Sequence, residues 1–241
     1  MDLNLGYMAR TFLLALSGIP TTLLITLVAL LIGLPLGFFM ALSKIYNIRI
    51  LKQLVSFYVS FIRGTPVVLQ ILIIYSLLPS LFNVIVKNLG LPINVFDVNP
   101  ILYAFIVFSI NTAAELSELC RSALLTVDRG QLEAALAIGL SRAQAYVRII
   151  IPQALVAALP NLCNVTIHLI KSTSLAFLMT VKDITAIAKV EAAYGYNYIE
   201  SYIDIFLIYI LICSAAQLLF SLAEKRFGAF KSLKQTRVQG A

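Results

Sequence analysis

Apolar stretches of twenty residues and more recur along this chain, and no other feature limits its possible folds as strongly. Crossing the roughly 30 Å hydrocarbon layer takes about 20 helical residues. A lipid-exposed backbone amide without a partner costs several kcal/mol, so such stretches must close their own hydrogen bonds as helices or as a barrel. Their length and continuous apolarity read as helices. The balance agrees: 61% of the 241 residues are hydrophobic and 12% charged, against roughly 45–50% and 25% in soluble domains.

Five spans, at about 11–42, 54–81, 100–125, 149–170 and 202–222, are the simplest count in a single all-α transmembrane domain. Pro20, Gly33, Pro35 and Gly37 predict a long, kinked first helix. The stretch Met1 to Arg10 is not strongly basic and the first apolar segment is too long for a signal h-region, so no cleavable signal is expected. A net charge of +7 does not indicate nucleic acid, because the cations lie in connections and in the C-terminal tail. Lys44, Arg49, Lys52, Arg129, Arg142, Arg148 and the tail residues Lys225, Arg226, Lys231, Lys234 and Arg237 fall on one side; Arg10, Lys87, Lys171, Lys182 and Lys189 fall on the other. The richer side should be cytoplasmic, with the N-terminus outside. Cys120, Cys163 and Cys213 stand singly in apolar sequence and read as small core residues rather than a metal or redox set.

Two regions depart from this pattern. The segment EAALAIGLSRAQAYVRIIIP, Glu133 to Pro152, is amphipathic, with Leu132, Ala135, Leu136, Gly139, Leu140 and Ala143 at helical spacing. Gly139 predicts a helix stop, and Ser141 with Gln144 predicts a capping box opening a second helix at Arg142. Periodicity alone also allows an interfacial helix on the headgroups. The third span carries Asn111, Glu115, Glu118 and Ser122 on one helical stripe, with Arg121 beside it. Charges at mid-membrane are costly and must face a cavity or one another. Arg63 or Arg121 could attract a carboxylate and Glu115 or Glu118 an ammonium; the plainer alternative is an internal Glu118–Arg121 pair.

The amphipathic segment closely resembles the cytoplasmic EAA loop of permeases of bacterial ATP-binding-cassette importers. Glu133, Ala134, Ala135 and Gly139 carry the motif, with a helix at about 131–145, and Ile149 and Pro152 stand at the family spacing; Ile151 replaces a usual Leu. FIRGTPVVLQ, DRGQLEAA, IPQALVAALP and HLIKSTSLAF extend the likeness to permeases for polar amino acids. In the third span Glu115 stands where that family has Tyr, and Ser122 and Ala123 replace glycines. INTAAELSEL and the run GQLEAALAIGLSRAQAYVRIIIPQAL look most like permeases for cystine and related sulfur-containing amino acids.

The resemblance implies a bacterial inner-membrane permease that pairs with a second copy or a paralogue. It also implies a coupling helix docked on an ATPase dimer that holds ATP and Mg, and an external substrate-binding protein. This chain has no P-loop and no catalytic triad, so hydrolysis is expected in a partner and no cofactor here. Arg63, Gly64, Thr65, Gln70, Asn111, Glu115, Glu118, Arg121 and Asn164 are the candidate substrate contacts. Gly64, Thr65 and Pro66 would expose backbone to a pathway or merely kink the helix. Lys171, Ser172, Thr173 and Ser174 would line an outer gate or cap the fourth span. His168 has no role in this reading. An ion-coupled secondary transporter would also explain the intramembrane Glu residues, but it usually carries an internal repeat, and none is apparent. A membrane scaffold would explain the basic tail but not the polar stripe.

Overall fold

The computed structural model describes residues 3–90 and 95–239, with side chains through Phe227 apart from Phe96; the tail cations Lys231, Lys234 and Arg237 lie outside the described side chains. Among the described residues the regular structure is helical, without strands. Among the described residues, five helical units are long and apolar enough to span a bilayer: Leu5–Ile45, Val67–Asn88, Ile101–Leu125, Arg142–Met179 and Tyr198–Phe227. The chain is a multi-pass membrane protein.

The first unit is two helices, α1 (Leu5–Leu16) and α2 (Ile19–Ile45). The break falls at Ser17–Gly18, where a side chain on Gly18 would collide with the backbone of Asp183 and Ile184. Pro20 sits in the first turn of α2, where no amide donor is needed. Gly33 and Gly37, expected to kink the helix, stay helical and buried. They form a small-xxx-small face against α5 (Ile101–Leu125), where an added Cβ would lie 2.9 Å from Thr112 Cγ2 or 2.8 Å from the Ser117 amide. Close approach, not bending, is their role.

The expected second span, 54–81, is corrected to two helices, α3 (Arg49–Gly64) and α4 (Val67–Asn88). Thr65 and Pro66 are extended between them, as the steric clash of a proline with its predecessor requires. Only α4 is apolar enough to span. Helix α3 places Arg49, Lys52, Gln53, Ser56, Ser60 and Arg63 on one face and buries Val55 and Val59 against Ala114 of α5.

Helix α5 is the most buried span and the axis of the fold. Toward one end its core joins Ile25, Tyr103, Phe108 and Met179; toward the other it joins Leu116, Leu124, Ile150 and Ala154. Beyond it come α6 (Arg129–Ala137) and the one-turn α7 (Arg142–Ala145), with a π-helical turn, Tyr146–Ile150, opening α8 (Ile151–Ser172). A 3-10 segment, Thr173–Met179, leads to α9 (Ile184–Gly195) and the long α10 (Tyr198–Gln239). Helices α1, α9 and α10 pack through Ala15, Ile184, Ala188 and Ile208, and Tyr7 hydrogen-bonds Ser201 at 2.7 Å.

Candidate substrate cleft and coupling element

The expected polar stripe exists on α5, and each level of it meets a different helix. At Asn111, Nδ2 donates to Gln70 Oε1 of α4 at 2.8 Å. One turn on, Glu115 Oε1 lies 3.4 Å from His168 Nδ1 of α8. Glu118 then bridges Lys44 of α2 at 2.5 Å and Arg121 at 2.9 Å. The internal pair weighed against substrate binding is thus present, and Lys44, expected in a connection, completes it from the last turn of its helix.

Val67, Phe108, Asn111, Glu115, His168 and Ser172 enclose a small cavity of about 40 Å³. At 10–15 Å³ per site this holds about three waters. It is too small to hold an amino acid by itself. His168, given no role from sequence, lines this cavity beside Glu115 and joins the candidate residues. The signal was periodicity: Gln153, Asn161, Asn164, His168 and Lys171 form an exposed stripe down α8. A continuous polar stripe on a span is unfavourable against lipid and suits a water-filled path.

Other expected contacts are redistributed. Gln70 is corrected: it is 8% exposed, and its Nε2 donates to the Ile62 and Thr65 carbonyls at 2.9 and 3.1 Å. It closes the backbone left open at the α3–α4 break and has no atom to spare for a substrate. Thr65 likewise donates to Phe61 O at 2.9 Å, so only Gly64 and the exposed Arg63 remain available there. Among the gate residues Thr173 is corrected, being fully buried and bonded to Ile170 O. Lys171 is exposed, Ser174 partly so, and Ser172 lines the cavity.

The cap-and-turn expectation for the amphipathic segment holds in detail. Gly139, at φ +86°, ends α6 in a Schellman motif, Leu140 N donating to Ala135 O and Gly139 N to Leu136 O. Ser141 and Gln144 form the reciprocal capping box of α7. The helix expected at 131–145 is therefore two helices and a turn. Glu133, Ala134 and Gly139 are exposed, with Ile138 77% exposed at the tip. Ala135 is corrected: at 2% exposure it packs inward and offers nothing to a partner.

Residues 33–229 match the pattern of the binding-protein-dependent transport system inner membrane component. The chain belongs to this family. Similar to it are the L-cystine transport system permease protein TcyL of Bacillus subtilis (strain 168), 38% identical over 91% of this chain and 88% of that one, and the arginine transport system permease protein ArtQ of the same organism, 34% identical over 82% and 84%. Among solved structures, that of an amino acid ABC transporter with histidines superposes with a TM-score of 0.76 at 32% identity, covering 94% of this chain and all of that one. The MetNI methionine ABC transporter shares the fold, with a TM-score of 0.66 at 19% identity. The ion-coupled transporter weighed from the intramembrane Glu residues is not favoured by this membership.

Proposed function

We propose that this chain is the permease subunit of an ATP-driven importer that carries an amino acid, of the cystine class, into the bacterial cytoplasm. The exposed polar stripe of α8 meeting Glu115 at the cleft carries this reading, because it gives a membrane span a wet face ending at a carboxylate. Two permease chains, identical or paralogous, would enclose the path, each giving one wall. An external binding protein would deliver the substrate. The cations at the end of α2, the start of α3, the start of α6, and in α7 and the π-helical turn support a cytoplasmic α6 end and an outer N-terminus. There Glu133, Ala134, Ile138 and Gly139 would dock on an ATPase dimer holding ATP and Mg.

In this mechanism Glu115 receives a substrate ammonium. His168, whose Nδ1 lies 3.4 Å from Glu115 Oε1, stands beside the carboxylate and orients it. Arg63, at the exposed end of α3, attracts a carboxylate. Glu118, Arg121 and Lys44 hold α2 to α5. The relatives named for cystine support the substrate class. Cystine has two ammonium groups, so two chains would present one Glu115 to each. Uptake of labelled cystine by cells with and without the chain, challenged with unlabelled arginine, histidine and glutamine, tests it. Glu115→Gln removes a charge-assisted hydrogen bond of about 1.5–3 kcal/mol and should raise the KM for uptake roughly 10- to 150-fold with chain abundance unchanged. Uptake blocked equally by arginine would move the substrate class; an unchanged KM would remove Glu115 from the site.

A further inference from the structure

A second concavity lies away from the substrate cleft, on the outer face of α2, α5 and α8. It is a groove of about 390 Å³, walled by Leu34, Phe38 and Phe39 on one side and Ile151, Leu155 and Leu162 on the other, with an almost wholly apolar lining. Phe39 is 66% exposed at its rim. On α8 the wall runs from Ile151 to Leu162, eleven helical steps, or about 16 Å at 1.5 Å per step. That is about half the roughly 30 Å hydrocarbon thickness, so the groove has the length of one leaflet.

Its polar end is marked twice. Tyr46 and Tyr146, with ring centroids 6.1 Å apart, stand at the end of α2 and the start of the turn into α8, the level at which aromatic residues meet headgroups. Arg148, three residues before Ile151, is exposed and forms no ion pair with any described residue. Arg142 is also exposed at this end. The occupant must therefore be apolar over one leaflet's depth and anionic at the interface.

We infer that this groove binds one anionic phospholipid from the leaflet on the α6 side, its acyl chain against α2 and α8 and its phosphate at Arg148. A second copy of the chain does not suit the place. On α8 the groove face, Ile151, Leu155, Ala158 and Leu162, lies more than a quarter turn from the polar stripe of Asn161, Asn164, His168 and Lys171. A cation beside an acidic headgroup contributes about a fivefold preference, while the acyl contact supplies affinity without regard to headgroup.

The probe is phosphatidylglycerol carrying a photoactivatable acyl chain, in liposomes containing the full chain. Irradiation should label peptides bearing Phe39 and Leu155. Unlabelled phosphatidylglycerol should compete about fivefold better than phosphatidylcholine. Arg148→Gln, at an exposed position, should abolish that preference while labelling persists. Ala158→Phe, which fills the groove, should suppress labelling from both lipids, and Leu155→Trp does the same from the rim should Ala158→Phe not fold. Equal competition by the two lipids in the unsubstituted chain would overturn the anionic assignment. Labelling spread evenly over α4 and α10, or groove-filling that dissociates a dimer of chains without changing labelling, would overturn the site.

Discussion

At the residue scale, glycine and charge show how one sequence signal admits two structures. Gly33, Pro35 and Gly37 read as a hinge because flexible residues surround a proline, but spacing decides. Gly33 and Gly37 are one helical turn apart on the face that meets Thr112 and Ser117, and Pro35 points away. Gly37→Leu should cost about 1–3 kcal/mol by overpacking, read as a lower thermal midpoint in detergent, whereas Pro35→Leu should not. Glu118 was legible as either a substrate contact or an ion partner, since its stripe is the same in both cases. What the sequence did not disclose was Lys44, because helix ends are poorly fixed by hydropathy and one more turn of α2 brings the ammonium to the carboxylate. Lys44→Met should destabilise by about 2 kcal/mol, less than the 3–5 of a fully buried pair because Glu118 is 26% exposed. Adding Glu118→Gln should recover part of that loss, and a double-mutant cycle on thermal unfolding checks it.

At the element scale, local hydrogen-bond chemistry was more readable than long apolar runs. The α6–α7 turn followed from Gly139 and from Ser141 with Gln144, because a positive φ and a reciprocal cap are demands made by a few adjacent residues. The interruption at Gly64, Thr65 and Pro66 was legible as a break or a kink, but hydropathy draws one span, 54–81, through it because apolar residues continue on both sides. The face formed by Lys52, Ser56, Ser60 and Arg63 contained the warning, since a lipid-facing span does not carry such a stripe. Helix α9 begins at another local device: buried Asp183 accepts from the Ala186 amide at 2.8 Å. Desolvation outweighs that bond and raises its carboxyl to about 6. A folded-state pKa above the unfolded 3.8 means the fold binds more protons between about pH 4 and 6. Stability attributable to Asp183 is thus greatest below pH 4 and falls as pH rises, by up to about 3 kcal/mol at pH 7. Thermal midpoints between pH 4 and 7 should decline in the unsubstituted protein and flatten in Asp183→Asn.

At the scale of the whole molecule, the number of spans was legible because lipid imposes one length on every crossing helix. Which faces meet lipid, water or protein was not, since hydropathy averages over the circumference of a helix. The structure separates two such faces on α8: the apolar side at Ala154, Leu155 and Ala158, which lines the outer groove, and the exposed polar stripe through His168. The proposed substrate wall at Glu115 and the exposed α6 tip at Glu133 and Ile138 lie on different elements, joined through α7, the π-helical turn and α8. That continuous path is how motion of an ATPase would reach the cleft.

The most direct test is amino-acid uptake into liposomes carrying the permease with the proposed ATPase and binding protein, with ATP enclosed or withheld and with an ion gradient imposed separately. Cystine should accumulate only with ATP and binding protein, and Glu133→Ala at the α6 tip should reduce transport at least tenfold while the ATPase still binds nucleotide. Accumulation driven by the ion gradient without ATP would contradict the account.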